Sequence, residues 1–309
     1  MKPLRISIVQ YLNTAPLVRG FTHGPLQGKY ELSFTVPSQC ADALRAGAVD
    51  VAIIPAIEYQ RIPNLTILPD MSIASKKSVR SLLLVSKRPI QHVTKIALDR
   101  SSRSTQALTR ILCAKRWHIE PEFVEAEPNL PDMLDHADAA LLIGDPALRL
   151  AISASLNSQR DPSGELCIPG KVGGVESEGS LFVFDIVEKW RAMTSLPAVL
   201  AVWAARRDIT TPELVQDFQD SLAFGLQHLD AIAADASQKM NLPSKELRRY
   251  LSENIDYHLD KENRDGLLRY YALAAELGLI PEFRGIEIAA APGGPARYMD
   301  LIVSVKRAT

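Results

Sequence analysis

Three short polar clusters in this chain each follow an apolar, strand-like run, and their residue types suit the binding of an anion. The first is Tyr11, Asn13 and Thr14, in YLNTAPL after RISIVQ. The second is Ser101, Ser102, Arg103, Ser104 and Thr105, after KIALD, and the third is Ile143-Gly144-Asp145-Pro146, in LLIGDPAL. Hydroxyls and backbone N–H groups at a helix start attract a carboxylate or phosphate, assisted by the helix dipole. An Asn or Asp beside such a site can orient a substrate or move a proton. Each cluster also has a plain structural explanation. Ser102 or Ser104 can cap a helix, and Asp145 can do the same with Pro146 at the first helical position. Asn13 can close a turn on its own backbone. Capping and anion binding are compatible, so spacing alone leaves both open. Arg80 and Ser81 head VRSLLLVS, where an Arg either meets an anionic ligand or stays solvated at the surface.

The elements that would carry these clusters alternate. RISIV and ELSFTVPS read as strands, the second ending at Pro37, with Ser38 as cap of a short helix that stops near Gly47. VDVAIIP is a continuous apolar run, as expected of a parallel strand covered on both faces. LTILPD and VRSLLLVS add two strand candidates, and KIALD leads into a helix with Leu108, Ile111 and Leu112 on one face. Strand alternating with helix predicts an α/β architecture with parallel sheet. The last third is helical. Thr211-Pro212-Glu213 starts a helix, and Leu214, Phe218, Leu222, Leu226 and Leu229 form its core stripe. Residues 157–180 read as a surface loop and 291–297 as a tail.

At ~150 residues per domain, 309 residues predict two lobes. A formal net charge of −1 argues against a nucleic-acid partner held by a basic field. No apolar run approaches the ~18 residues of a membrane span, and the N-terminus does not read as a signal peptide, which together predict a cytoplasmic protein without a membrane partner. Cys40, Cys113 and Cys167 are widely spaced and read as free thiols, and six histidines show no ligand spacing, so neither metal nor cofactor is expected.

RISIVQYLNTAPL, VDVAIIPAIEY, VRSLLLVS, LDRSSRSTQAL, LLIGDPAL, EKWRAMTSLPAVLAVWAARRD and YLSENIDYHLDKENRDGL occur in order from residue 5 to about 280. Together they resemble the chorismate dehydratase family of the futalosine route to menaquinone. The sister family, 1,4-dihydroxy-6-naphthoate synthase, shares the fold but has a Ser/Cys-Pro-Asn-type turn and a His-Glu-Gly segment where this chain has YLN and IGDPAL. Two departures from the family pattern are the lysines of IASKKSVRS and the order S-R-S-T in the serine cluster.

The resemblance implies a type II periplasmic-binding-protein-like clamshell with a helical C-terminal region. Lobe one would be residues 1–86 plus 197–309, and lobe two 87–196, with the clusters on opposite lips of a cleft. The implied reaction removes water from chorismate to give 3-[(1-carboxyvinyl)oxy]benzoate, without a cofactor. Asn13 and Asp145 would be catalytic; Tyr11, Ser81, Ser102, Ser104, Thr105 and Gly144 would bind this small dicarboxylate. A non-catalytic small-anion binding protein of the same fold, or the sister enzyme 1,4-dihydroxy-6-naphthoate synthase, is the rival reading.

Overall fold

A computed structural model describes residues 3–154, 159–160, 166–176, 179–291 and 293–299. Among these the chain divides into two compact units, 1–76 with 196–309 and 77–195. The first boundary falls ten residues before the expected one. Its cause is the strand Leu82–Ser86, which pairs antiparallel with both Ala139–Ile143 and Leu181–Asp185 and so belongs wholly to the second unit.

The first unit is built on a sheet of seven strands among the described residues, in the order Arg297–Met299, Ile286–Ile288, Leu65–Ser75, Ala198–Arg206, Val51–Pro55, Arg5–Val9, Glu31–Thr35. Arg5–Val9 runs parallel to both its neighbours, and the returning Ala198–Arg206 is antiparallel to Val51–Pro55 and Leu65–Ser75. Val51–Pro55 is buried throughout, which its unbroken apolar sequence anticipates.

Two expectations are corrected here. The LTILPD strand does not stop at Pro69-Asp70 but continues to Ser75 through a register shift between Ile67 and Ser72. A bulge is one of the few places a strand accepts proline, and Asp70 takes a left-handed φ of 62° there. Ser38 does not cap its helix, which begins at Pro37 with Val36 in the cap position. Proline at the first helical position carries no N–H to leave unpaired, and its fixed φ suits the helix start.

The helix start at Thr211 is as expected: its Oγ1 accepts the Leu214 N–H at 3.2 Å, and the helix Pro212–Gln227 follows. Leu214, Phe218 and Leu222 are buried on its inner face, while Leu226 is only half-buried. This helix crosses Ala15–His23 closely. A Cβ on Gly20 would lie 2.5 Å from the Ser221 Cα, and one on Gly225 would collide with the Pro16 carbonyl. Ser221 seals the crossing, its Oγ accepting the Gly20 N–H at 3.1 Å and donating to the Leu17 carbonyl at 2.9 Å.

The second unit has a sheet in the order Glu122–Ala126, Lys95–Asp99, Ala139–Ile143, Leu82–Ser86, Leu181–Asp185, Leu166–Ile168, Gln159–Arg160. The expected loop at 157–180 is only partly described; where it is, Leu166–Ile168 forms a strand and Lys171–Val172 pairs with Val175–Glu176. None of the three cysteines is in a disulfide; Cys40 and Cys113 are buried and Cys167 is half-buried. Among the described residues no helix is long and apolar enough to cross a membrane.

Candidate functional site

In the first unit the strand Arg5–Val9 ends at the residues that open the first cluster. Tyr11 stays extended, at φ −75° and ψ 155°, and its carbonyl accepts the Thr14 N–H at 3.0 Å. A single 3-10 turn, Leu12–Thr14, then passes directly into the helix Ala15–His23. Leu12 and Thr14 are buried in this turn, while Tyr11 and Asn13 lie half-buried on its other side. The Asn13 side chain does not close the turn on its own backbone; Oδ1 accepts the Thr14 hydroxyl at 3.3 Å. The helix that fixes this turn is itself held through Gly20, Ser221 and Gly225.

In the second unit, three sequence-separated groups reach one end of one sheet. Lys95–Asp99 and Ala139–Ile143 are parallel, with Leu98 beside Leu141, so the chain leaves both strands at the same end. Leu82 pairs antiparallel with Ile143, which brings the start of its strand there too. The Gly144 N–H donates to the Ser81 carbonyl at 2.8 Å. Ser81, the 101–105 cluster and Gly144-Asp145 are therefore neighbours across three adjacent strands, as expected for the carboxyl end of an open α/β sheet.

Ser102 occupies the cap position of the helix Arg103–Leu112 but makes no side-chain cap bond. Its hydroxyl donates instead to Thr105 Oγ1 at 2.7 Å. Ser104 and Thr105 lie inside the first turn and are buried. Gly144 adopts φ 66°, a left-handed conformation glycine takes without strain, and this lets the helix Gly144–Ala154 start directly from the strand. Asp145 is consequently in the first turn of that helix, half-buried, rather than before it as a cap.

Two carboxylates that the sequence reading passed over hold these loops. Asp185 Oδ2 accepts the N–H groups of Val79 at 2.9 Å and Arg80 at 2.7 Å, and Oδ1 caps the helix Ile186–Thr194 at Val187 and Glu188. It thereby fixes Arg80 at a left-handed φ of 60°, immediately before Ser81. Burial pushes the Asp185 carboxyl up to about 6. Beside it is a cavity of about 150 Å³ lined by Arg80, Asp185 and Lys189 with Leu83, Leu150 and Val183. Asp99, the last residue of its strand, is fully buried, and its Oδ1 accepts the Ser101 N–H at 2.9 Å and the Ser101 hydroxyl at 2.6 Å. The signal for both was an acidic residue closing an otherwise apolar strand. Among the described residues no three of His, Cys, Asp and Glu lie together as a metal site.

The second unit's arrangement gathers hydroxyls at a helix start, a pattern suited to an anion, and the first unit's turn presents the half-buried Asn13 amide. The fold is shared with a protein of Archaeoglobus fulgidus, at TM-score 0.68 and 20% identity over 90% of this chain and 98% of that one. It is also shared with the alkanesulfonate-binding protein SsuA of Xanthomonas axonopodis pv. citri, at TM-score 0.60 and 15% identity over 91% and 94%. The fold of this chain is thus like that of periplasmic binding proteins. In sequence it is 31% identical over 285 residues to a chorismate dehydratase of Thermus thermophilus, covering 92% of this chain and 99% of that protein. Residues 4–276 match the family model described as menaquinone biosynthesis. With all three polar clusters, the described strands of the second unit's sheet and five of the first sheet's seven described strands inside that match, the chain belongs to the menaquinone biosynthesis family.

Proposed function

We propose that this protein is a chorismate dehydratase, a hydro-lyase that eliminates water from chorismate to give 3-[(1-carboxyvinyl)oxy]benzoate. The observation that carries this reading is the 31% identity to the Thermus thermophilus chorismate dehydratase along nearly the whole of both chains. Chorismate is a cyclohexadiene with two carboxylates and a ring hydroxyl. Loss of that hydroxyl with the neighbouring ring proton aromatises the ring, so the reaction is downhill and the protein's task is orientation and help to the leaving group.

The residues divide between these tasks. Ser102, Ser104 and Thr105, at the start of the helix Arg103–Leu112, take a substrate carboxylate, with Ser81 and Gly144 on the neighbouring strand ends beside them. Asn13 polarises the departing hydroxyl, and Tyr11 lines the same turn. Asp145, in the first turn of its helix, orients the substrate or moves a proton. The ring proton passes to a carboxylate, that of the substrate's own enolpyruvyl group in the family's scheme. No cofactor is required, and the compartment consistent with a biosynthetic enzyme is the cytoplasm.

The test is to incubate the purified protein with chorismate and follow the mixture by mass spectrometry. A product lighter by one water supports the reading. Tight binding of chorismate without product would make the chain an anion-binding protein of the same fold, and indifference to chorismate would turn attention to the sister enzyme's substrate.

A further inference from the structure

We propose that Asp99 is a positioning residue of the substrate site, whose buried carboxyl holds the Ser101–Ser102 turn beside the end of the strand Ala139–Ile143. This rests on the reading of the 101–105 cluster as the carboxylate-binding element.

Asp99 has no exposed surface, an unusual place for a carboxyl group. Its two sides face different loops. Oδ1 takes both donors of Ser101, the N–H at 2.9 Å and the hydroxyl at 2.6 Å. The backbone of the same residue takes two more, its carbonyl accepting the Ser102 N–H at 3.3 Å and the Gln106 side-chain amide at 3.0 Å. One residue therefore organises the turn and the first two turns of the helix that carry the candidate hydroxyls.

The other oxygen, Oδ2, has no hydrogen-bond partner among the described residues. Burial raises the carboxyl's pKa, while the Ser101 donors and the Ile143 backbone N–H act to lower it. Ile143 is the residue before Gly144-Asp145, and the register Leu98 beside Leu141 places Asp99 next to that strand end. The carboxyl thus lies between the two loops.

A purely structural carboxylate looks different, and this sheet supplies the comparison at its opposite end. Asp138 meets the Thr94 hydroxyl and N–H, the Lys95 N–H and Arg88, and both of its oxygens are paired. An apolar residue would end the strand Lys95–Asp99 without burying an unpaired oxygen, which is costly. What the apolar residue would not do is draw both Ser101 donors inward. With those donors drawn to Asp99, the start of the helix that carries Ser102, Ser104 and Thr105 is held in place.

The experiment is steady-state kinetics on chorismate for the wild type, Asp99→Asn and Ser101→Ala, with a thermal melt of each. The expected result for Asp99→Asn is a KM raised tenfold or more, with kcat within about threefold of wild type. Ser101→Ala, which removes only the hydroxyl bond, raises KM several-fold and covers the case in which Asp99→Asn does not fold. A lower melting temperature and lower activity per mole at unchanged KM would mean a scaffold role and overturn the proposal, as would a folded Ser101→Ala with wild-type KM. A wild-type protein that neither converts nor binds chorismate overturns the carboxylate-binding reading itself, a result distinct from either of these.

Discussion

The Ser102 hydroxyl donates to Thr105 Oγ1 at 2.7 Å across the first turn of the helix Arg103–Leu112, so the two side chains act as one unit. A capping serine would have spent its oxygen on the helix backbone; this one leaves the backbone donors of the turn outside that bond. Replacing Ser102 by Ala should therefore weaken substrate binding more than it weakens the fold. The expected outcome is a KM raised about tenfold, the equivalent of ~1.4 kcal/mol, at the upper end of the range for one typical hydrogen bond. Thr105→Val, which keeps the shape and removes the acceptor, should move KM in the same direction. Kinetics with a melt of each variant checks both.

Asn13 is expected to act on turnover. Its turn is fixed by Leu12 and Thr14 below and by the helix that follows, so Asn13→Ala should leave the melting temperature within a few degrees of wild type. If it polarises the departing hydroxyl, its loss should lower kcat by a factor on the order of 100, as for removal of one preorganised transition-state donor. Asn13→Asp, which exchanges the donating amide for a negative charge, should be at least as impaired.

The first-unit scaffold predicts an effect at a distance. Gly225 has no room for a Cβ because the Pro16 carbonyl occupies that space, and Pro16 is three residues from Asn13. Gly225→Ala must push the helix Ala15–His23 away from Pro212–Gln227. A cost of about 1–3 kcal/mol is expected for such overpacking, seen as a lower melting temperature. Because the displaced helix carries the Asn13 turn, kcat should fall as well, whereas the open position Gly28 should accept mutation to Asn with little change in kcat.

A pH prediction follows from Asp138. Burial works to raise the pKa of this carboxyl, but the Thr94 hydroxyl and N–H, Arg88 and the Lys95 N–H outweigh it and hold it below the usual carboxylate range. A depressed folded-state pKa means that the unfolded chain binds the proton first as pH falls. The stabilisation is thus complete above the ordinary Asp value of about 3.9 and is lost as pH drops through the lower folded value. Asp138→Asn should be less stable than wild type at pH 7, with the gap narrowing below about pH 4. Since Asp138 lies at the end of the sheet away from Ser102 and Gly144, KM should not move.

Much of this was legible in the sequence because the site sits where chains leave strands. YLN, SSRST and IGDP were each visible as polar residues closing an apolar run, and Thr211-Pro212 named its own helix start. What stayed hidden depends on partners distant in sequence. Asp99 reads as the polar end of a strand until the neighbouring strand at Ile143 and the turn at Ser101 bury it. Asp185 shows its helix cap locally, but not the N–H groups of Val79 and Arg80 from a hundred residues earlier. The placement of Leu82–Ser86 in the second unit is set by pairing with Ala139–Ile143 and Leu181–Asp185, which no local pattern records. Pro69-Asp70 looked like a strand end because a bulge and a turn share the same residues.

The most direct measurement is to incubate the wild-type protein and Asn13→Ala side by side with chorismate and resolve the mixtures by HPLC and mass spectrometry. The wild type is expected to form a species lighter by one water that co-elutes with 3-[(1-carboxyvinyl)oxy]benzoate, and Asn13→Ala to form it on the order of 100-fold more slowly. Chorismate returned unchanged by a folded wild-type protein would contradict the activity, and equal rates in the two proteins would contradict the role of Asn13.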